Sequence, residues 1–173
     1  MASIARSLKA IRPTALPKAL PAKTALFTAT RSFSSSRIAL EKRYTKDHEW
    51  IDINPQKKTG VVGISEYAAE QLGDVVYVEL PEAEGWVEKG DAIGAVESVK
   101  SASDINSPVR CKITQVNTAL EEKPSIINRV PEDDSAGGGW LAKVEVDEDG
   151  VKEFEALMDA EAYKAFTTEA EDS

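Results

Sequence analysis

Short runs of alternating apolar and polar residues, each cut off by turn-forming residues, constrain this chain more than any other feature. Glu49, Ile51 and Ile53 alternate with His48, Trp50 and Asp52, the period of two that marks a β-strand. "NPQKKTG" supplies turn residues and predicts a hairpin into "VVGI". "DVVYVEL" is rich in β-formers and ends at Pro81, "EAEGWVEKGD" is turn-rich, and "AIGAVESV" and "NSPVRCKITQVN" carry further strands. After "EDDSAGGGW", read as a flexible loop, Trp140, Ala142, Val144 and Val146 alternate with Leu141, Lys143 and Glu145. Helices are few. Ser65 caps "EYAAEQL", which stops at Gly73. "TALEEKPSIIN" forms a short helix or two, with Pro124 tolerated only in a first turn. In the tail, Val151, Phe154, Leu157 and Met158 recur at three to four, and Asp159 caps a last helix through Tyr163 and Phe166. The fold class is therefore mainly β, a compact sandwich or barrel.

Charge divides the chain. Residues 1–40 hold seven basic residues and no acidic one, which leaves 14 basic against 30 acidic, a net charge of −16, in the remainder. A basic, Ser- and Ala-rich, acid-free leader reads as an organellar transit peptide. "RSFSSSRIALE" resembles a two-step mitochondrial processing site cut after Leu40, and with a simpler cut near Phe33 as the alternative the cleavage falls at about 34–41 and the protein in the mitochondrial matrix. A basic arm for nucleic acid is the competing reading, but an acidic body repels phosphate backbones. No run of about 18 apolar residues spans a membrane. The remaining 130 or so residues suffice for one modest core.

The usual catalytic constellations are missing: no GxSxG, HExxH, Gly-rich phosphate loop or CxxC. One cysteine and one histidine make a metal cluster implausible. Cys111 sits between Arg110 and Lys112, but its only base partner would be the distant His48, so it reads as a half-buried strand residue. Lys100 stands apart. It lies in a valine-rich strand-turn stretch, with Glu97 three residues before it and "DINSPV" soon after.

"VESVKSASDINSPV" resembles the lipoyl-attachment hairpin of the glycine cleavage system H-protein family. "YTKDHEW", "GISEYAAEQLGDVVYVELPE", "ITQVNTALEEKPSIIN" and "GGGWLAKVEV" extend the resemblance over residues 43–168. Biotin carriers share the hairpin but flank the lysine with methionines, where this chain has Val99 and Ser101. Lipoyl domains of 2-oxoacid dehydrogenases usually place Asp before the lysine, and here it is valine.

The resemblance implies a lipoyl/biotinyl-type flattened barrel-sandwich hybrid over residues 43–147, with short helices and a C-terminal helical tail at 148–173. It implies a monomeric carrier with no turnover of its own, whose cofactor is lipoate on Lys100. The arm would take an aminomethyl group from a pyridoxal-phosphate glycine decarboxylase to a tetrahydrofolate-dependent aminomethyltransferase, and electrons to an FAD-containing dihydrolipoamide dehydrogenase. Lipoyl-transfer enzymes complete the partners, and a lipoyl relay to other enzymes is a second role. Asp47, Glu49, Gln71 and Asp104 match a cleft in which the loaded arm folds back. Gln71 stands where some members carry histidine. His48 reads as structural, bonded to a backbone carbonyl. Cys111 replaces a common turn glycine, is strained if that turn needs a positive φ, and with Arg110 is expected near the arm. The 130–140 loop is longer or looser than the family's.

Overall fold

The computed structural model describes residues 41–171, apart from Pro55, Ala83 and Glu84. The expected leader and its expected cleavage site lie outside the described residues. Among the described residues nine strands form two antiparallel sheets and not a closed barrel, joined by short helices and followed by two C-terminal helices. The larger sheet runs β1 (Glu41–Tyr44), β2 (Glu49–Asn54), β3 (Thr59–Ile64), β9 (Ala142–Val146), β8 (Cys111–Val116), β5 (Trp86–Val87). The smaller holds β4 (Val75–Glu79), β6 (Ala92–Ser98) and β7 (Ala102–Asn106) in that order. β5, only two residues long, falls inside the stretch read as turn.

Strand β2 organises the core because both its faces are buried. Ile51 and Ile53 join the main apolar cluster with Val62, Val96, Ile105, Ile113 and Leu141. Trp50 points the other way, into a second cluster with Tyr44, Trp140 and Tyr163. The 130–140 loop covers that second face and is not loose. Pro131 O accepts the Trp50 indole N–H at 3.2 Å, Ser135 O accepts that of Trp140 at 2.8 Å, and Gly139 N–H returns to Val130 O at 2.9 Å. Glu132 accepts from Tyr44 Oη at 2.7 Å and pairs with Lys42, whose ammonium lies 4.3 Å from the Trp50 ring centroid. Gly138 and Gly139 serve packing, not freedom: a Cβ would sit 1.9 Å from Asp133 O on the first and 2.7 Å from Val130 O on the second.

The helices follow their sequence signals. Ser65 Oγ accepts the Ala68 N–H at 3.1 Å and starts α1 (Glu66–Leu72), which ends at Gly73 with φ +75°. Pro124 precedes α3 (Ile126–Arg129), and α2 (Ala119–Glu122) lies before it. Asp147 caps α4 (Glu148–Glu155), and Asp159 Oδ1 accepts from Ala162 N in α5 (Ala160–Glu171).

Gly63 faces Trp50 so closely that a Cβ would lie 2.8 Å from the indole. Gly63→Ala is expected to cost about 1–3 kcal/mol by overpacking, measured as a lowered urea midpoint with unchanged slope.

Candidate functional site

The hairpin of β6 and β7 closes at Ser98–Ser101, with Val99 and Lys100 at the apex. Two-residue hairpin turns favour positive φ at their central residues, yet neither Val99 nor Lys100 adopts it. The serines make up the difference. Ser98 N–H donates to Ser101 O at 2.7 Å, and Ser98 Oγ accepts the Ser101 N–H at 3.0 Å and the Lys100 N–H at 3.3 Å. A third tie comes from outside the hairpin: Val99 N–H donates to Asp74 O at 3.0 Å. Asn128 braces that support, donating to Gly73 O at 2.6 Å and accepting from Val75 N at 2.9 Å. The Lys100 stem crosses Gly73, where a Cβ would stand 3.2 Å from its Cε. Lys100 is exposed and Val99 is 76% exposed.

Beside this hairpin lies a cleft of about 260 Å³ lined by Asp47, Glu49, Gln71 and Asp104 together with His48 and Ser103. All four residues matched from the sequence therefore meet in one place. Their settings differ. Asp47, Gln71 and Asp104 are exposed, whereas Glu49 is 2% exposed. Its carboxylate accepts the Asn106 N–H of β7 at 2.9 Å and a bond from Thr45 Oγ1. Burial pushes the Glu49 carboxyl above its usual range, partly offset by those donors.

His48 has φ +72° and turns the chain between Asp47 and Glu49. Its Nδ1 lies 2.8 Å from Tyr163 Oη, not at the backbone carbonyl expected from the sequence. Burial lowers its pKa, against the opposing pull of Asp47.

Cys111 and Arg110 depart from expectation. Cys111 is the fully buried first residue of β8, paired with Val87 and Val146, and its φ is not positive, so no turn strain arises. Burial raises its thiol pKa. Neither residue is near the lysine: β7 carries the chain away from the turn by roughly 15 Å, and both follow it. Arg110 instead ties the far end, with Nε 2.9 Å from Asp147 Oδ2 and its N–H 2.7 Å from Glu153 Oε2. From the sequence Gly73 is only a helix stop, and Ser98 and Asn128 carry no assigned role. The serine at each end of "SVKS" was a usable turn signal; nothing local marks Asn128.

A lysine displayed on a braced β-hairpin, with an acid-lined cleft beside it, defines a carrier module. Comparison with known proteins gives the family. The glycine cleavage H-protein family model matches residues 42–170. The chain is 47% identical over 125 residues to the glycine cleavage system H protein of Thermotoga maritima, covering 72% of this chain and 94% of the relative. Against the mitochondrial H protein 2 of Arabidopsis thaliana it is 45% identical, covering 82% and 85%. A crystal structure of the Mycobacterium marinum H protein superposes with TM-score 0.62 at 38% identity, covering 76% of this chain and 99% of that one. The chain belongs to the glycine cleavage H-protein family, the carrier component of that system and not one of its enzymes.

The raised Glu49 pKa has a pH consequence. A carboxyl that holds its proton more tightly when folded contributes stability that is full below the ordinary Glu value of about 4.3 and is lost as pH rises through the folded value. Glu49→Gln is therefore expected to gain on the wild type as pH rises above that point, seen by urea unfolding across a pH series. Asp52, also raised by burial, keeps its own slope in both proteins. A pH-independent difference contradicts the assignment.

Proposed function

We propose that Lys100 carries the lipoyl group through an amide on Nζ, and that the cleft beside it shelters the loaded arm. The observation that carries this is the bracing of one lysine at an exposed apex: its turn is tied at Ser98, at Ser101 and, through Val99, at Asp74. An enzyme choosing one lysine among many needs such a fixed, accessible target. Among the described residues no carboxylate pairs with the Lys100 ammonium, so acylation breaks no ion pair and removes one charge. The residues fit the group, because the cleft lies alongside the hairpin that would bear it.

Once attached, the lipoyl group would supply a disulfide that is reduced as it takes an aminomethyl unit at a glycine decarboxylase and, after a tetrahydrofolate-dependent aminomethyltransferase has removed that unit, a dithiol to be reoxidised by a dihydrolipoamide dehydrogenase. The chain's own residues bind and shield that cargo. Asp104 and Glu49 accept hydrogen bonds from a cationic amine, the former from an exposed position and the latter from a buried one. Asp47 adds negative charge at the mouth, and Gln71 offers an amide that does not titrate. Tethering makes each transfer a local event at high effective concentration.

The relatives named as mitochondrial, in Arabidopsis thaliana and Saccharomyces cerevisiae, support a mitochondrial matrix location. The basic, acid-free residues 1–40 support a removable leader with a cut at about 34–41.

Intact mass decides the central point. The mature protein from its own cells is expected to carry one lipoyl increment that is absent from Lys100→Ala; an increment surviving that change refutes the assignment. The acidic body further predicts docking to basic partner surfaces, so the rate of arm loading by glycine decarboxylase should fall as salt rises from 0.05 to 0.5 M, over which the Debye length contracts by about threefold. A salt-independent rate removes electrostatic steering from the account.

A further inference from the structure

We infer that Tyr163, in the last helix, is a positioning residue for the cleft, its phenol setting the His48 ring and so joining two of the cleft walls from outside. The inference rests on the cleft role proposed above for Glu49 and Asp104. One wall is the Asp47–Glu49 segment and another is α1, which contributes Ala68, Gln71 and Leu72. Tyr163 Oη lies 2.8 Å from His48 Nδ1 on the first and 2.7 Å from Ser65 Oγ at the cap of the second. Ser65 N–H also donates to His48 O at 2.8 Å.

Counting hydrogens fixes the direction of these bonds. Ser65 Oγ already accepts from Ala68 N. If it donates to Tyr163 Oη, the phenol donates in turn to His48 Nδ1, and both hydroxyl hydrogens are used. The reverse order leaves the Ser65 hydroxyl hydrogen without an acceptor. His48 is thereby held as the Nε2–H tautomer, with Nδ1 accepting. The ring is packed as well as bonded, its centroid 4.7 Å from Tyr67 and 5.9 Å from Phe166. Tyr163 is itself fixed by stacking on Tyr44, with centroids 4.3 Å apart and planes 7° from parallel. Burial holds the phenol protonated, pushed up to about 12, so it stays a donor. His48 sits at φ +72° between Asp47 and Glu49, so a bond that anchors its ring also ties down the backbone segment that carries both acids.

Tyr163→Phe removes the hydroxyl and keeps the stack. Two measurements on lipoylated, full-length protein test the role. The first is ring ¹⁵N NMR of His48, unambiguous because the chain has one histidine. The wild type should show the Nε2–H tautomer and the variant a mixture. The second is the rate at which the aminomethyl-loaded carrier loses its cargo to water, compared with Glu49→Gln and Asp104→Asn. Tyr163→Phe should lose it about three- to tenfold faster, the worth of one buried hydrogen bond, while Lys100 is lipoylated at the wild-type rate because the hairpin turn is untouched. An Nδ1–H tautomer in the wild type, or identical tautomers in both proteins, overturns the inference. Wild-type cargo loss in Tyr163→Phe alongside faster loss in the two acid variants overturns it alone. Unchanged loss in the acid variants overturns the cleft reading beneath it.

Discussion

A single hydrogen bond between the sheets, from the Asn106 N–H to the Glu49 carboxylate, holds the hairpin base in register with the body. Glu49 starts β2, the strand buried on both faces, and Asn106 ends β7. A buried carboxylate is costly unless its lone pairs are used, and Thr45 and Asn106 use them. The base is closed further by Gly90 N–H to Ser107 O and Ser107 N–H to Asp91 O, both 2.8 Å. With its base fixed there and its apex fixed at Asp74 O, the hairpin is held at both ends. Cleft and lysine therefore share one rigid frame, the cleft taking Asp104 from the hairpin's own sheet and Glu49 from the other.

Much of this frame is written locally. Ser65 and Gly73 mark α1 at both ends because a cap acceptor and a left-handed stop are short-range demands. Ile51 and Ile53 sit where the period of two puts them, inward. The failures share a cause. The Gly-rich 137–139 stretch reads as freedom because glycine permits it, yet Gly138 and Gly139 are there for close approach to backbone carbonyls. β5 is too short to show a period. Cys111 is a strand residue, as its sequence setting indicates, but the expected turn strain came from analogy with a glycine, and its pairing with Val87 and Val146 leaves no turn there. The exposure of Lys100 at a turn follows from the residues around it, but the partner bonded to His48 lies 115 residues away, beyond any local signal.

The second aromatic cluster gives the C-terminal helices a place in this scheme. Tyr44 pairs through its backbone with Met158 in both directions, at 2.9 and 3.1 Å, and stacks on Tyr163. The last helix thus docks on the edge strand β1, covering an edge that would otherwise invite pairing with another chain. The same docking brings Tyr163 to the outside of the cleft. Protection of a sheet edge and bracing of the site are achieved by one contact.

The braced turn has a further consequence in plain geometry. With the Lys100 backbone amide held by Ser98 and its neighbour by Asp74, the α-carbon acts as the fixed point of a compass. Where the far end of any group on Nζ can go is then set by the covalent length of the arm and by what the body blocks, and the chain itself adds little slack. Gly73, beneath the stem, keeps one sector of that sweep open. A side chain there would raise a stop on the dial, and the arm would lose bearings rather than reach.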